Sequence, residues 1–293
     1  MQGMLEETRS RGENMTRKEP ARPLVRYHGG KWLLAPWIIA HLPKHRIYVE
    51  PFGGGGSVLL RKPRSYGEIY NDLDGEIVNV FRVARDRGGE LRDALRLTPF
   101  ARVEFEESYL PAANEMEQAR RTIVRSFMGF GSAAACGETS GFRANSNRLG
   151  TTPAHDWKNY PDALEALIDR LQGVVIENRD AVQVMLAHDS PETAHYVDPP
   201  YVHSTRSAKA RGTSSRKSYK HELTDDQHAA LSIILHNLEG AVVLSGYRND
   251  AYDDLYSDWA RVEKHANADG ARPRIEVLWL SPKCLQNQMR IFP

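Results

Sequence analysis

The chain has 293 residues, of which 41% are hydrophobic and 26% are charged, and its formal net charge is +1. This composition is typical of a water-soluble globular enzyme, and a net charge near zero does not by itself indicate a polyanionic partner. No apolar run approaches the roughly 20 residues that a membrane span needs. Cys136 and Cys284 lie far apart and form no Cys-x-x-Cys motif, so a reducing, cytoplasmic location is expected, without a disulfide framework or zinc site.

Residues 1–22 are predicted to form a disordered, charged tail. The segment has no apolar core, which excludes a secretory signal, and Glu6, Glu7, Glu13 and Glu19 argue against an organelle transit peptide. A segment of this composition buries too little apolar surface to fold alone.

Short apolar runs alternate with helical patterns from residue 46 onward. Strands are predicted at 46–52, 67–74, 173–180, 194–200, 241–247, 260–266 and 275–280. Helices are predicted at 75–86, 115–128, 161–172, 224–238 and 250–258. Thr224 and Gln227 have the spacing of a capping box at the start of the fourth helix. Strands that alternate with helices indicate an α/β fold with an open, mostly parallel sheet.

The alternation stops between residues 82 and 160. An insertion of this size predicts a second, mainly helical domain at 82–160, with a catalytic domain formed by 23–81 and 161–293. Between residues 120 and 150 the arginines are Arg120, Arg121, Arg125, Arg143 and Arg148, and the one acid is Glu138. A basic, Gly-rich segment suits a loop that binds a nucleic-acid groove, although a plain connector would have the same composition.

The stretch YVEPFGGGGSVLL at 48–60 follows a predicted strand and precedes an apolar helical run. Its glycines let the backbone approach a ligand closely, and the positive end of a helix lies there. Asp72 ends the next strand, where a carboxylate typically binds the ribose of an adenine cofactor; alternatively it caps a helix that begins near Asp74. The glycine spacing lacks the G-x-G-x-x-G of dinucleotide folds, and YHGGKW at 27–32 lacks the features of a P-loop.

The strand predicted at 194–200 ends in the sequence DPPY, residues 198–201. Two prolines hold the chain extended, so they fix a carboxylate, a carbonyl group and an aromatic ring in one rigid arc. The alternatives are a strand-end cap at Asp198 and a core aromatic at Tyr201. The stretch 203–221 contains no acid and the basic residues Arg206, Lys209, Arg211, Arg216, Lys217 and Lys220. It is interpreted either as a phosphate-contacting loop or as a solvated loop.

In chain order, YHGGK, VEPFGGGGSV, YNDLD and DPPY resemble the Dam-type DNA adenine methylases, in which an inserted target-recognition domain separates the glycine motif from DPPY. The resemblance implies a Rossmann-like sheet that binds S-adenosylmethionine. It also implies metal-free methyl transfer to the exocyclic amino nitrogen of an adenine flipped out of duplex DNA. We expect a bacterial or phage-encoded monomer that needs no obligate protein partner. The segment 127–150 does not align securely with the family's base-reading hairpin, so the target sequence stays open.

The resemblance also assigns roles to single residues. The implied cofactor-binding positions are Tyr27, Lys31, Phe52, Gly53, Gly55, Asp72, Asp180 and Asp198. Among these, Asp72 would bind the ribose and Asp180 would lie near the adenine ring of the cofactor. The implied catalytic positions are Asp198, Pro199, Pro200 and Tyr201.

The chemistry of an amino group explains why such an arc is needed. The lone pair of the adenine amino nitrogen is delocalised into the ring, so the nitrogen is a poor nucleophile. Asp198 and the Pro199 carbonyl group are suited to accept its two hydrogens and direct the lone pair at a methyl group, with Tyr201 stacked on the base. The alternatives are amino methylation of cytosine, which more often has Ser at position 198, and glutamine methylation of proteins, which usually has Asn there. A non-catalytic DNA-binding protein and a nicotinamide dehydrogenase are alternatives of other classes.

Overall fold

A computed structural model describes residues 19–131, 139–145, 150–201, 223–267 and 273–289. Within these ranges seven strands form one sheet: β1 (Ile47–Glu50), β2 (Gly67–Asn71), β3 (Val175–Glu177), β4 (Thr193–Val197), β5 (Ala241–Tyr247), β6 (Ala260–Asn267) and β7 (Pro273–Leu280). Each apolar run that was predicted to be a strand overlaps one of these, so the strand predictions are confirmed. In the same ranges, none of the helices has the length and apolar character to cross a membrane.

The strand order creates a topological switch point at the centre of the sheet. The order is β3-β2-β1-β4-β5-β7-β6, so the chain proceeds outward from β1 to β3 on one side and from β4 to β5 on the other. The pairings from β3 to β5 are parallel, whereas β7 is antiparallel to both β5 and β6. Ligands of open α/β sheets bind at the carboxyl ends of the strands beside such a switch point. A site is therefore expected at the ends of β1 and β4.

The helices of the described ranges are α1 (Ala35–Ala40), α2 (Ser57–Arg61), α3 (Gly75–Asp86), α4 (Gly88–Leu97), α5 (Arg102–Glu107), α6 (Glu115–Met128), α7 (Pro153–Lys158), α8 (Tyr160–Leu171), α9 (Ala181–Ala187), α10 (Asp225–Asn237), α11 (Asp250–Leu255) and α12 (Pro282–Met289). The five predicted helices correspond to α3, α6, α8, α10 and α11. The backbone N–H of Gln227 donates to the Thr224 hydroxyl at 3.3 Å, and the backbone N–H of Thr224 donates to the Gln227 side chain at 2.8 Å. The predicted capping box is therefore confirmed.

The helices between α3 and α8 share one hydrophobic core with the sheet. Leu91 of α4, Ile123 of α6 and Trp157 of α7 belong to the same buried cluster as Leu59 of α2 and Tyr70 of β2. The segment predicted as an insertion is thus helical in α4 to α7, and α4, α6 and α7 pack against α3 or α8. Its separation into a domain of its own stays a prediction.

Candidate active site

A cavity of about 300 Å³ lies at the carboxyl ends of β1, β2 and β4. This volume is at the lower end of the range for small-molecule pockets. The walls come from the segment before α1, the loops after these strands, the start of α9 and one face of α10. The cavity is lined by every position that was predicted to bind the cofactor: Tyr27, Lys31, Phe52, Gly53, Gly55, Asp72, Asp180 and Asp198. The fold brings these residues together, while their contact with a cofactor stays a prediction.

The glycine loop between β1 and α2 is held by aromatic neighbours. Gly54 has a φ of +47° and Gly56 a φ of +59°, in the left-handed region that favours glycine. A Cβ atom at Gly53 would lie 2.2 Å from the ring of Tyr70, and a Cβ atom at Gly54 would lie 2.7 Å from the ring of Tyr27. The loop therefore requires glycine for its own packing and backbone conformation.

Asp72 faces the cavity from the loop after β2 and organises the backbone around it. Its Oδ2 accepts a hydrogen bond from the backbone N–H of Gly54 at 2.7 Å, and its Oδ1 accepts one from that of Asp74 at 2.8 Å. The N-cap of α3 is Asp74, whose side chain accepts a hydrogen bond from the backbone N–H of Glu76. The helix cap considered for Asp72 thus belongs to Asp74. Asp180, on another wall of the cavity, is the N-cap of α9.

The arc after β4 is held by side chains from two other parts of the chain, Lys31 before α1 and Ser245 on β5. Lys31 Nζ lies 3.0 Å from Asp198 Oδ2 and donates to the Tyr201 hydroxyl oxygen at 2.5 Å. Ser245 Oγ donates to Asp198 Oδ1 at 2.9 Å, and the Tyr201 hydroxyl lies 3.2 Å from the same oxygen. Pro199 is buried and Asp198 is half-buried. All these donors are side chains, which favours an oriented functional carboxylate over a strand-end cap.

An aromatic corner flanks the arc. The rings of Tyr201 and Tyr247 stand edge-on, with centroids 4.4 Å apart and an interplanar angle of 66°. Arg274 donates to the Tyr247 hydroxyl at 2.6 Å and lies 4.7 Å from the centre of its ring. Burial raises the pKa of the Tyr247 hydroxyl, so it stays protonated at neutral pH. The corner presents ring faces and edges that suit a planar base.

Glu50 is a buried acid in the cavity that sequence reasoning missed. It is the last residue of β1 and accepts hydrogen bonds from the Tyr48 hydroxyl at 2.7 Å and from the backbone N–H of Leu59 at 2.9 Å. Burial raises its pKa to about 8, and the charge of Asp198 acts in the same direction. The available signal was an acid at the end of a buried strand, directly before the glycine loop.

Glu276 is a second buried acid that sequence reasoning missed. It lies on β7 directly opposite Tyr247 of β5. Burial raises its pKa, and the positive charges of Lys31 and Arg274 act in the opposite direction. Its position beside the arc depends on the antiparallel β5–β7 pairing, which the sequence alone does not specify.

Ser245 and one face of α10 are further parts of the site that were not predicted. Leu244 of β5 pairs with Val197 of β4 in a parallel ladder, so the next residues, Ser245 and Asp198, lie side by side. The adjacency of two parallel strands was the signal that would have found Ser245. From α10, Leu231 contributes to an apolar wall of the cavity.

The arginines of α6 form salt bridges with acids that lie outside residues 120–150, the range in which the sequence contains one acid. The pairs are Arg120 with Glu117 and Glu104, Arg121 with Glu117, and Arg125 with Glu76, at 2.6–2.8 Å. The fold therefore balances the charge of these three arginines with acids from α3, from α5 and from the first turn of α6. A contact between these arginines and DNA stays a prediction.

Arg143 donates to the backbone carbonyl of Phe127 at 3.0 Å, close to an isolated antiparallel bridge between Gly129 and Phe142. The remaining residues predicted to bind DNA lie outside the described ranges: Arg148, Arg206, Lys209, Arg211, Arg216, Lys217 and Lys220. Cys136 and residues 1–18 of the predicted tail also lie outside them. Across the described part of the chain, no group of three or more His, Cys, Asp and Glu side chains is placed to hold a metal ion.

Comparison with known proteins identifies the family. The profile described as D12 class N6 adenine-specific DNA methyltransferase matches residues 27–269. The chain belongs to this family. The resemblance to DNA adenine methylases and the activity it implied, adenine-specific methylation of DNA, are thereby confirmed, and the sheet is that of a Rossmann-like methyltransferase. Methyltransferases in general use S-adenosylmethionine. Methylation of cytosine or glutamine, nicotinamide chemistry and a non-catalytic role lose their support.

Relatives of this D12 class enzyme carry consistent names. The type II methyltransferase M1.LlaDCHI of Lactococcus lactis subsp. cremoris is 24% identical over 261 residues, which cover 81% of this chain and 85% of the relative. A DNA adenine methylase of Salmonella typhi is 31% identical over 33% of this chain and 31% of its own length. That of Escherichia coli strain K12 is 35% identical over 26% of this chain and 27% of its own length. The similarity thus covers most of the chain for the first relative and a third of the chain or less for the other two.

Proposed function

We propose that the cavity binds S-adenosylmethionine and that the arc from Asp198 to Tyr201 receives an adenine flipped out of duplex DNA. One observation carries this proposal: Asp198 and Pro200 line the same cavity as the glycine loop and Asp72. A methyl donor in the cavity and an amino group on the arc would therefore meet at Asp198.

The chemical character of the lining suits this cofactor. The acids are Asp72, Asp74, Asp180, Asp198 and Glu50, whose pKa of about 8 leaves it mostly neutral at pH 7, and the basic residues besides His28 are Lys31 and Arg179. An excess of carboxylates favours a ligand that carries a sulfonium ion, an ammonium ion and ribose hydroxyl groups. Apolar side chains of α9 and α10, among them Val182 and Leu231, favour an adenine ring.

The residues of the arc prepare the amino group for transfer. Asp198 and the Pro199 carbonyl group accept its two hydrogens, so that its lone pair is directed at the methyl carbon. Lys31 and Ser245 hold the Asp198 carboxylate in place, so little reorganisation is needed during the reaction. The bound cofactor supplies a methyl group that is already activated by its sulfonium sulfur.

The target nitrogen is inaccessible inside a duplex, so the base must leave the stack at a cost of a few kcal/mol. Tyr201 and Tyr247 offer the flipped base an aromatic corner that offsets part of this cost. Arg143 and the basic residues of 203–221 are proposed to contact phosphates, which positions the duplex without reading its sequence. The proposed active form is a monomer on double-stranded DNA. It would be encoded by a bacterium or a phage and would act in the bacterial cytoplasm.

The direct test is methylation of unmethylated duplex DNA with labelled S-adenosylmethionine, followed by analysis of the nucleosides. We expect the label in N6-methyladenine, and long-read sequencing of the same DNA would give the target sequence. A folded protein that binds the cofactor but labels no adenine across DNA of varied sequence would overturn the proposal.

Cofactor binding at the cavity has its own test. Asp72→Ala should weaken equilibrium binding of S-adenosylmethionine about ten-fold or more, because a carboxylate that accepts charge-assisted hydrogen bonds is lost. Asp86→Ala is the matched control, since Asp86 pairs with Arg85 at the end of α3 and does not line the cavity. Equal affinity of the two variants would remove Asp72 from the cofactor site.

A further inference from the structure

We propose that Arg274 binds a phosphate group of the DNA strand that carries the flipped adenine. Through its contact with Tyr247, the same arginine would hold the aromatic corner against that strand. Arg274 would thus position the substrate without taking part in the chemical step. This inference rests on the proposed function, because it requires duplex DNA over the arc from Asp198 to Tyr201.

The position of Arg274 follows from an overhang of the sheet. The pairing of β7 with β5 ends where Glu276 lies opposite Tyr247, whereas its pairing with β6 continues to Pro273. The β6–β7 pair therefore extends three residues beyond the last β5–β7 pair, which is about 10 Å at the rise of a strand. Arg274 lies in this overhang, at the carboxyl edge of the sheet and beyond the aromatic corner.

Arg274 contacts Tyr247 through one nitrogen of its guanidinium group. Its Nη1 donates to the Tyr247 hydroxyl at 2.6 Å, and its Cζ lies 4.7 Å from the centre of the ring. A guanidinium group has five N–H donors, and the hydrogen bonds within the described part of the chain use one of them at Arg274. The residue is exposed, so the remaining donors can bind two oxygens of a phosphate in the fork geometry typical of arginine.

The charge of Arg274 is not neutralised by an acid. Within the described ranges it forms no ion pair, whereas Arg261 on the adjacent strand β6 is paired with Asp253 and Glu263. Arg248, the residue after β5, is exposed and likewise forms no ion pair with a described acid. The rim of the aromatic corner therefore presents positive charge to solvent, as a phosphate site requires.

Base flipping creates a need for a cation at this place. The nucleotide rotates about its own backbone when the adenine leaves the stack, so its neighbouring phosphates approach the rim of the pocket that receives the base. The arc presents the carboxylate of Asp198, which repels a phosphate. Arg274 supplies the opposite charge, and its hydrogen bond to Tyr247 places that charge beside the ring that would contact the base.

The first test is the affinity for a DNA duplex that contains the adenine methylated in the assay above, measured by fluorescence anisotropy over a range of salt concentrations. Arg274→Gln should weaken binding about ten-fold near physiological salt, because a charge-assisted contact is lost. It should also lower the slope of log Kd against log salt concentration by about one, the value for a single phosphate contact.

Arg46→Gln is the matched control. Arg46 is also exposed and lies 4.0 Å from the ring centre of a tyrosine, Tyr66, but it precedes β1 at the opposite edge of the sheet. The change removes the same charge, so the salt dependence of this variant should equal that of the wild type. A slope that falls equally in both variants would show an effect of net charge alone and would overturn the contact at Arg274.

Tyr247→Phe separates phosphate binding from support of the ring. It removes the hydrogen bond between Tyr247 and Arg274 but leaves the charge of Arg274, so the slope should keep its wild-type value. If Arg274 served only to hold Tyr247, Arg274→Gln and Tyr247→Phe would both keep the wild-type slope. That result would overturn the inference.

A second measurement identifies the phosphate. A methylphosphonate, which is uncharged, replaces each phosphate around the target adenine in turn. In the wild type, one position should cost about as much affinity as Arg274→Gln does, and the same replacement should cost Arg274→Gln little more. Arg274→Lys keeps a point charge without the fork geometry, so its loss at that position should be smaller than that of the wild type.

The lysine variant carries this measurement if Arg274→Gln fails to fold. Equal losses at every position in the wild type and the Arg274 variants would overturn the phosphate contact while leaving the proposed function intact. A wild type that methylates no adenine would instead overturn the proposed function.

Discussion

The pKa of a glutamate carboxyl group is shifted in opposite directions at the carboxyl edge of the sheet and in the helical segment from α4 to α7. At the sheet edge, burial raises the pKa of Glu50 to about 8. In the helical segment, hydrogen bonds from Arg120 and Arg121 hold the pKa of Glu117 at about 2. The ionised form is thus disfavoured at Glu50 and favoured at Glu117.

The contrast follows from the partners that each region supplies. Glu50 accepts hydrogen bonds from two neutral donors, a tyrosine hydroxyl and a backbone N–H. Glu117 lies between two guanidinium ions at 2.6–2.7 Å. The sheet edge thus retains polar groups whose burial is incompletely compensated, as expected where a ligand is to be bound, whereas the helical segment uses its charges to stabilise itself. The following changes test that distinction, from the largest expected effect to the smallest.

Asp198→Ala should have the largest effect at the sheet edge. We expect methyl transfer in a single turnover to fall by about 10³-fold, because the oriented acceptor of the amino hydrogens is removed. DNA affinity, measured by fluorescence anisotropy, should change little. The control is Asp258→Ala, an exposed acid that pairs with His236. A transfer rate within ten-fold of the wild type would remove Asp198 from the mechanism.

Glu50→Gln should stabilise the protein from mildly acidic to alkaline pH. The folded pKa of about 8 lies above the ordinary value of 4.5, so the contribution of Glu50 to the free energy of unfolding is fully present below pH 4.5 and is lost as the pH rises through 8. Glutamine accepts the same hydrogen bonds and cannot ionise. We therefore expect the variant to gain a few kcal/mol over the wild type between pH 5 and 9 in urea unfolding. Parallel pH profiles of the two proteins would contradict the assignment, and exposed Glu106→Gln on α5 controls for the lost charge.

Gly53→Ala should disturb the glycine loop through its packing. The added Cβ would lie 2.2 Å from the ring of Tyr70, which is itself stacked on Phe81 with centroids 4.1 Å apart. We expect a loss of about 1–3 kcal/mol in the free energy of unfolding, together with weaker cofactor binding. Gly89→Ala is the matched control, because a Cβ at that helical position meets nothing within 4 Å and should be neutral or slightly stabilising. Similar losses in both variants would show that loop packing is not the cause.

The same distinction explains what the sequence could predict. The strands and the DPPY arc were predictable because their signals are local: an apolar run, a glycine cluster and a pair of prolines act on the residues next to them. The parallel pattern then brought the strand ends together at one edge. Glu276 was not predictable, since its position opposite Tyr247 depends on the register of β7 against β5. The partners of Arg125 were not predictable either, because Glu76 lies 49 residues away on α3.

Glu117→Gln should give the smallest effect, with a pH dependence of the opposite sign to that of Glu50→Gln. The folded pKa of about 2 lies below the ordinary value of 4.5, so the stabilisation by Glu117 is present above pH 4.5 and is lost as the pH falls through 2. Because the side chain is 26% exposed, solvent screening limits the expected loss at pH 7 to about 1 kcal/mol, and the difference from the wild type should shrink in urea unfolding at pH 3.

The same variant releases Arg120 and Arg121 from their shared acid. Its affinity for DNA therefore shows whether these arginines contact DNA or only support the fold. Tighter DNA binding would support the predicted contact of these arginines with phosphates. Unchanged affinity with reduced stability would assign them to the fold, and would complete the division between a sheet edge that acts on DNA and a helical layer that supports it.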